Sequence, residues 1–436
     1  MGRAGAGLAL LALLAGCGPG PSRSAKRLFL ITSDTLRADH LHYAGYPRAT
    51  SPHLDALAER AWRFDRAIAV IPRTGPSFAS MFSGQAPQEH GVQTNARVLP
   101  ADLPWLPAIL GQRGYFTAAF IGNPVLGEAK GYARGFERYE LHFDVKTSVT
   151  RVKEAFLAWA REHDWTRPTF VWVHFVDPHG PYRPPPDLVD RFWGDELMQS
   201  DPRTVELDDR PEGGMVLGRV PTYQRFGADR RVASYVARYD AEIVHMDRAL
   251  GEVLGFLRER ELFDSGLVVF TSDHGESLGE NDYYFDHGWS ACEATLRVPL
   301  LIKLPGQQEG RRVEGAVSTL DLAPTLLALL EGDPASELPS LFDPDDGEVI
   351  VIQNGGEYPE QIVGLRTPQW KYLRQVAAGA DRYDPAAPVL EEKLYDLSAD
   401  PGEATDLREE RPEMAATLRE RLDRLLGEAS RSAGAR

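Results

Sequence analysis

The chain has 436 residues and a net charge of −16, with an isoelectric point near 5.2. This acidity argues against a nucleic-acid partner, because a phosphate backbone demands a basic protein face. A hydrophobic fraction of 43% with 26% charged residues is ordinary for a soluble globular protein, and the length predicts one large domain with a smaller one.

The N-terminus predicts a secreted lipoprotein. Arg3 precedes an apolar run over residues 8–15, which suits a secretory signal and is too short for a span of about 20 apolar residues. Residues 14–17 read LAGC, similar to a bacterial lipobox, in which the cysteine is lipidated. We expect residues 1–16 to be the signal peptide, Cys17 to carry the lipid and residues 17–27 to form a tether. The protein would then be anchored in a bacterial cell envelope, on a periplasmic or outer surface. An ordinary secretory signal with an incidental cysteine is the alternative.

Cys292 is the only other cysteine in the chain. With Cys17 lipidated it has no partner within the chain, so no disulfide framework is expected. We interpret Cys292 as a small packed residue rather than a reactive thiol.

Strand-like and helix-like segments alternate along the chain. Buried strands are predicted by apolar runs over residues 28–32, 116–121, 169–176 and 266–271. Helical spacing occupies residues 51–60, 105–113 and 232–260. This alternation predicts an α/β fold with a mostly parallel sheet covered by helices on both faces. Ligands of such sheets bind beyond the carboxyl ends of the strands, which is where Asp34, Asp273 and His274 fall.

The second half of the sequence predicts a long surface excursion and a C-terminal subdomain. Residues 183–230 have weak periodicity and are expected to form a surface excursion near the mouth of the site. An acidic, proline-containing stretch over 332–348 is expected to end a catalytic domain that spans residues 28–345. Four strand-like segments and an amphipathic helix over 412–426 then predict a small α+β subdomain over residues 346–436.

Three segments carry residues suited to ester chemistry. Residues 32–40 read TSDTLRADH, residues 72–84 read PRTGPSFASMFSG and residues 271–276 read TSDHGE. Together these segments resemble the sulfatase family of the alkaline-phosphatase superfamily. Further matches lie at residues 174–182, 285–288, 297–306, 321–327, 393–397 and 400–403. The resemblance covers nearly all of the chain from residue 28 onward.

The resemblance implies one divalent cation, held by Asp34, Asp273 and His274 together with Thr74. Carboxylates with an imidazole suit Zn²⁺ or Mn²⁺ better than an all-oxygen Ca²⁺ cage, with Ca²⁺ and Mg²⁺ as alternatives. Members of the family often have a second Asp directly after the first, and this chain has Thr35 there.

Thr74 occupies the place of the family's nucleophile. Typical sulfatases have Cys or Ser there and convert it to formylglycine, an aldehyde that threonine cannot form. Phe78 stands where the family has the Arg that supports this aldehyde. We therefore expect the Thr74 hydroxyl itself to attack the ester, since a nearby cation lowers the pKa of a hydroxyl. The alternative for Thr74 is the N-cap of the helix that Pro76 starts.

His179 and His287 are candidates for contacting the transferred group and its leaving oxygen, because histidine donates protons near neutral pH. Asn95 matches a position that often lines the family's pocket. His174 falls inside a predicted strand and is expected to pack or to orient a neighbour.

The sequence thus predicts a metal-dependent hydrolase of sulfate or phosphate esters, acting on an anionic ester substrate, with hydrolysis or transfer of phosphate esters favoured. One alternative is a sulfuric ester hydrolase that works without formylglycine, against which Thr74 and Phe78 speak. Another is an inactive binding lipoprotein on the same fold, against which the retained acids Asp34 and Asp273 speak.

Overall fold

The computed structural model describes residues 27–144, 148–210, 216–332, 341–342, 344, 347–352, 361–377 and 379–434. The predicted signal peptide, Cys17 and the tether up to residue 26 lie outside these ranges. The predicted boundary between residues 345 and 346 lies outside them as well, so these assignments stay predictions. Arg27 already belongs to the first strand, where it pairs with Thr169. None of the helices in the described ranges has the length and apolar character needed to cross a bilayer.

The described strands, in chain order, are β1 Arg27–Ser33, β2 Trp62–Ile68, β3 Phe116–Ile121, β4 Arg138–Leu141, β5 Thr169–Phe175, β6 Glu206–Leu207, β7 Arg219–Val220, β8 Leu267–Ser272, β9 Ser277–Leu278, β10 Tyr284–Asp286, β11 Arg297–Lys303, β12 Arg311–Ser318, β13 Val349–Ile352, β14 Gln361–Arg366, β15 Trp370–Val376 and β16 Val389–Asp396.

The described α-helices are α1 Pro52–Ala58, α2 Thr74–Ser83, α3 Pro87–His90, α4 Leu106–Gln112, α5 Ser148–Glu162, α6 Pro186–Asp190, α7 Glu196–Ser200, α8 Val232–Glu259, α9 Leu262–Ser265, α10 Glu293–Leu296, α11 Leu322–Glu331 and α12 Pro412–Gly434. Short 3₁₀ turns lie at Ala38–His40, His42–Ala44, Pro124–Leu126, Glu128–Lys130, Thr222–Gln224, Glu280–Asp282 and Thr319–Asp321.

The main sheet has eight strands in the order β12-β2-β11-β8-β1-β5-β3-β4. Within it β11 runs antiparallel to both of its neighbours, and the other pairs are parallel. The α/β fold with a mostly parallel sheet is therefore confirmed. Parallel strands are covered on both faces, which explains why the central strands read as continuous apolar runs.

Successive residues of β1 point to opposite faces of the sheet. Phe29 and Ile31 belong to the apolar core formed with α1, α5 and α8. Leu28 and Leu30 belong to the core formed with α2, α4 and α11. The helix α2, which begins at Thr74, therefore packs on the second face of the sheet.

The carboxyl ends of the parallel strands meet at one edge of the sheet. Asp34 directly follows β1 there, and the pair Asp273–His274 directly follows β8. Strand β5 leads into a turn over residues 176–181, and β2 leads through residues 69–73 into α2. Because β11 is antiparallel, it starts at this edge, so the segment before it, with His287, is delivered to the same place.

The C-terminal residues form a four-stranded antiparallel sheet in the order β13-β14-β15-β16, with α12 packed against it. This confirms a small subdomain containing strands and a helix. Its apolar core includes Ile68, Val70 and Ile71 of the main domain, and the Ile352 N–H donates to the Val70 carbonyl at 2.9 Å. The subdomain therefore supports the segment that leads into Thr74.

Sequence periodicity did not predict β2, β12, α5 or α11. The excursion over residues 183–230 contains two short helices, α6 and α7, and the parallel pair β6–β7. Cys292 is buried, as expected for a packed residue.

Candidate active site

Asp34 presents one bound and one unpartnered carboxylate oxygen at the edge of the sheet. Its Oδ2 accepts a hydrogen bond from the Asn123 side chain and lies 3.6 Å from His174 Nε2. Its Oδ1 is buried and accepts no hydrogen bond. His174 lies on β5, where its Nδ1 bonds to the Thr32 hydroxyl at 2.9 Å. Asn123 and His174 therefore hold this carboxylate in one orientation.

Asp273 is held in the same manner. Its Oδ1 accepts the backbone N–H groups of His274 at 2.9 Å and Thr35 at 3.2 Å, while its Oδ2 is buried without a hydrogen bond. His274 Nδ1 lies 2.9 Å from the Gly275 carbonyl, so Nδ1 carries the proton and Nε2 offers a lone pair. That Nε2 is 3.4 Å from Asp273 Oδ2 and 3.9 Å from Asp34 Oδ1.

The three acceptor atoms of Asp34, Asp273 and His274 lie within 4.8 Å of one another. Two carboxylate oxygens and an imidazole nitrogen form a donor set that suits Zn²⁺ or Mn²⁺. Buried oxygens with no hydrogen bond need a cation or a proton, because an unpaired buried charge is costly. The residues present therefore fit a divalent cation.

The pKa values of Asp34 and Asp273 indicate the same need for positive charge. Burial, together with the charge of Asp34, raises the pKa of Asp273 to about 8. Burial opposes ionisation of Asp34 too, but the charge of His179 and the hydrogen bond to His174 lower its pKa to about 2. Without a cation one of the two carboxyls thus stays protonated, because two charges this close cannot both form.

Thr74 is the first residue of α2 and is 1% exposed. Its Oγ1 lies 3.4 Å from His274 Nε2, at the cation site. The N-cap of α2 is Arg73, in an extended conformation, so the expectation of Thr74 as N-cap is wrong. Ser77 donates its hydroxyl to the Asp273 carbonyl at 2.7 Å, which ties α2 to the end of β8.

Asn95 contacts the start of α2 rather than the cation site itself. Its Oδ1 accepts the Gly75 N–H at 2.9 Å, and its carbonyl accepts Lys130 Nζ at 2.5 Å. A Cβ atom on residue 75 would lie 2.8 Å from the Tyr132 hydroxyl and 3.1 Å from Asn95 Oδ1. Gly75 thus allows this close approach directly after Thr74.

Three imidazoles lie next to one another. The ring of His287 is centred 4.5 Å from that of His274 and 5.1 Å from that of His179. His287 is buried, and its Nδ1 is 3.0 Å from Glu276 Oε1. His179 Nδ1 lies 2.7 Å from the Gly180 carbonyl, so Nδ1 carries the proton.

Glu276 connects His287 to Tyr182. Burial, with the charge of Asp286, raises the pKa of Glu276 well above its usual value. Burial, followed by the charges of His274 and Arg73, lowers the pKa of His287 well below its usual value. A single proton therefore lies between Glu276 and His287, and the Tyr182 hydroxyl donates to the second oxygen of Glu276 at 3.0 Å.

The sequence analysis missed four residues at this site: Arg73, Asn123, Tyr182 and Glu276. Glu276 lies two residues after His274 in the segment TSDHGE, and Arg73 directly precedes Thr74, so proximity in sequence was a usable signal for both. Tyr182 closes the segment HFVDPHGPY. Asn123 had no such signal, since the position of β3 in the sheet, two strands from β1, brings it to Asp34.

Phe78 packs in the apolar core between α2 and the sheet. It is fully buried, with its ring centred 4.8 Å from Trp172, 5.1 Å from His174 and 5.7 Å from Phe82. An arginine in the same rotamer would enter this apolar core. The side chain at position 78 therefore stabilises the packing of α2 on the sheet.

Comparison with known proteins identifies the family of this chain. The model of the family described as Sulfatase matches residues 26–332. The choline-sulfatase of Rhizobium meliloti is 28% identical over 425 residues, covering 85% of this chain and 78% of that protein. The ulvan-active sulfatase of Formosa agariphila is 26% identical over 399 residues, covering 82% of this chain and 74% of that protein.

Among solved structures, the phosphonate monoester hydrolase of Agrobacterium radiobacter has the same fold, with a TM-score of 0.69 at 21% identity and coverage of 92% of this chain and 96% of that one. The matched family region contains the whole cation site, Thr74 and the three imidazoles. The chain belongs to the sulfatase family of ester hydrolases, within the alkaline-phosphatase superfamily.

Proposed function

We propose that this protein is a metal-dependent hydrolase of anionic esters in which the hydroxyl of Thr74 is the nucleophile. The observation that carries the proposal is the 3.4 Å distance between Thr74 Oγ1 and His274 Nε2, next to two buried carboxylate oxygens that accept no hydrogen bond. Asp34, Asp273 and His274 would hold the cation. When bound, the cation lowers the pKa of the Thr74 hydroxyl and offsets the negative charge of the ester.

The residues of the chain supply the remaining steps. Thr74 Oγ1 releases its proton to solvent and bonds to phosphorus or sulfur, while the bond to the leaving oxygen breaks and that oxygen takes up one proton. His179 and His287 are the candidates to give that proton. In the second step water attacks the phosphorus or sulfur of the threonine ester, and Thr74 recovers its hydroxyl.

We favour phosphate or phosphonate esters over sulfate esters. A hydrated formylglycine has two hydroxyls on one carbon, so one can expel the ester of the other. Thr74 has one hydroxyl, and its ester must be broken by attack at phosphorus or sulfur. Phe78 lies in the apolar core, so the arginine that supports the aldehyde in the family has no counterpart at position 78. The fold accommodates either class of ester, since a phosphonate monoester hydrolase and a 2-O GAG sulfatase both share it.

Hydrolysis of sulfate esters is the second candidate. It is favoured by the relatives with the names choline-sulfatase and ulvan-active sulfatase, which share 28% and 26% identity with this chain. It requires that Thr74 attack sulfur without the aldehyde.

The test compares aryl sulfate, aryl phosphate, aryl phosphonate and phosphodiester substrates with Mn²⁺, Zn²⁺, Ca²⁺ or Mg²⁺. We expect a phosphate or phosphonate ester to be turned over fastest. Mass spectrometry of quenched reactions should find the modified threonine on the peptide that contains Thr74. Thr74→Ala should lose about 10³-fold or more in kcat, and Thr74→Ser should retain part of the rate. A Thr74→Ala protein with the wild-type rate would overturn the nucleophile.

We also propose that Cys17 anchors the protein in a bacterial cell envelope through a lipid, on the strength of the residues LAGC at positions 14–17. Cys17→Ala should leave the protein soluble or unprocessed when membranes are separated from the soluble fraction. A variant that stays membrane-bound and is cleaved normally would contradict the anchor.

A further inference from the structure

Outside the catalytic residues, two carboxylates and an imidazole meet between β5 and α8. Asp177 lies in the turn that follows β5, and Glu242 and His245 lie three residues apart on α8, on one face of the helix. His245 Nδ1 is 4.0 Å from Asp177 Oδ1 and 4.0 Å from Glu242 Oε2. One acceptor atom of each residue lies within 4.8 Å of the others.

Among the described residues, His245 is the basic side chain that pairs with both carboxylates, at 4.0 Å from each. Asp177 Oδ2 is fully buried and accepts no hydrogen bond. The Glu242 side chain is 6% exposed, and its Oε1 accepts the Arg183 N–H at 2.6 Å. Glu242 Oε2 lies 4.0 Å from His245 Nδ1 and faces the Asp177 carboxyl.

We propose that Asp177, Glu242 and His245 form a second divalent-cation site, distinct from the catalytic ligands. Two carboxylates with an imidazole fit Mn²⁺ or Zn²⁺, which accept oxygen and nitrogen together. Metal–ligand bonds of about 2.0–2.2 Å put ligand atoms roughly 3–3.5 Å apart. The observed 4.0 Å separations therefore close by small side-chain rotations. The competing occupant is a proton shared between Asp177 and Glu242.

The site would fix the turn that carries His179. Asp177 precedes His179 by two residues, and its carbonyl accepts the Ser33 hydroxyl at 2.6 Å, next to Asp34. The His179 N–H closes the turn on the Val176 carbonyl at 2.9 Å. A cation bound to Asp177 and α8 therefore positions His179 without touching the substrate.

Metal counting tests the proposal on the full chain. After equilibration with Mn²⁺ or Zn²⁺ and removal of the excess, we expect Asp273→Asn to keep one cation per chain and Asp273→Asn/Glu242→Gln to keep none. The Asp273→Asn background isolates the new site from the catalytic one. Glu252→Gln is the matched control, since Glu252 lies on α8 with a side chain that is 57% exposed. If Glu242→Gln does not fold, His245→Ala should cause the same loss.

Hydrogen exchange tests the role of the site without relying on activity. In Asp273→Asn, added Mn²⁺ should slow exchange of residues 176–183, and in Asp273→Asn/Glu242→Gln it should have no effect. An Asp273→Asn protein that binds no cation at all would overturn the site and would assign the pair Asp177–Glu242 to a shared proton. A bound cation with unchanged exchange would overturn its effect on the turn of His179.

Discussion

Arg73 packs its guanidinium against the backbone of Gly288. A Cβ atom on residue 288 would lie 2.9 Å from Arg73 Cζ and 2.9 Å from its Nε, and Gly288 has φ +103°. Only glycine fits this combination of a left-handed backbone and a close neighbour. Because Arg73 precedes Thr74 and Gly288 follows His287, the contact sets a positive charge beside both the nucleophile and a candidate proton donor.

We expect Arg73 to bind the anionic group of the ester. A guanidinium offers two parallel donors to sulfate or phosphate oxygens, so Arg73→Gln should lower kcat/KM by about 10²–10³-fold. Arg73→Lys should lose less, because it retains the charge without the fork. Arg113→Gln serves as the matched control, since this arginine pairs with Glu331 at the surface. Steady-state kinetics on one ester decides the matter, and an unchanged kcat/KM in Arg73→Gln would exclude this role.

Asp273→Asn should remove the catalytic cation and reduce turnover by about 10³-fold or more. The variant should still unfold cooperatively. Burial and Asp34 raise the pKa of Asp273 to about 8, so the cation-free protein already holds this side chain neutral at pH 7. Metal analysis measures the loss of the cation, and steady-state kinetics measures turnover. Thermal unfolding with and without a chelator shows whether the variant still unfolds cooperatively. Full turnover in a variant with a reduced metal content would show that the cation is not part of the reaction.

Phe78→Arg should destabilise the fold rather than restore a formylglycine site. The side chain at position 78 is fully buried among Phe82, Trp172 and His174, and an unpaired buried charge costs about 3–5 kcal/mol. Phe78→Leu, which retains an apolar side chain, should cost about 1 kcal/mol. Urea unfolding compares the two variants. We accordingly expect Thr74→Cys/Phe78→Arg to yield little folded protein, and a double variant as stable as the wild type would refute the packing argument.

His90 should make the protein sensitive to acid. It is 5% exposed, its Nδ1 accepts the Val92 N–H at 3.0 Å, and its Nε2 bonds to the Ser80 hydroxyl of α2 at 2.9 Å. Burial lowers the pKa of His90 from 6.5 to about 4. Below pH 6.5 the unfolded chain therefore binds a proton at His90, whereas the folded protein binds this proton only near pH 4. The stability that neutral His90 provides is complete above pH 6.5 and falls by up to about 3 kcal/mol as the pH approaches 4.

His90→Asn keeps an acceptor for Val92 and does not titrate. Its free energy of unfolding, measured with urea across this pH range, should have the flatter slope, although its stability at pH 7 is lower. Equal slopes in the two proteins would show that His90 contributes nothing to the acid sensitivity.

The sequence predicted the central strands and the acids at their ends because both signals are local. A strand buried on both faces is mostly apolar, as β1, β5 and β8 are, and Asp34 and Asp273 follow two of these strands directly. Strand β2 was not predicted because its charged residues Arg63 and Asp65 interrupt the apolar run. These two side chains pair with each other at 3.2 Å. The partner strand β12 provides Arg312 as a further partner of Asp65, a contact that local periodicity does not contain.

The tertiary structure alone decided which partners hold the predicted site residues in place. Asn123 reaches Asp34 because β3 lies two strands from β1 in the sheet, and a separation of 89 positions along the chain gives no hint of the contact. Glu276 faces His287 because the hairpin of β9 and β10 turns the chain back on itself. Local sequence determines which polar residues follow the end of a strand. Which unpartnered oxygens then converge depends on strand order and helix packing, which arise from burial over the whole chain.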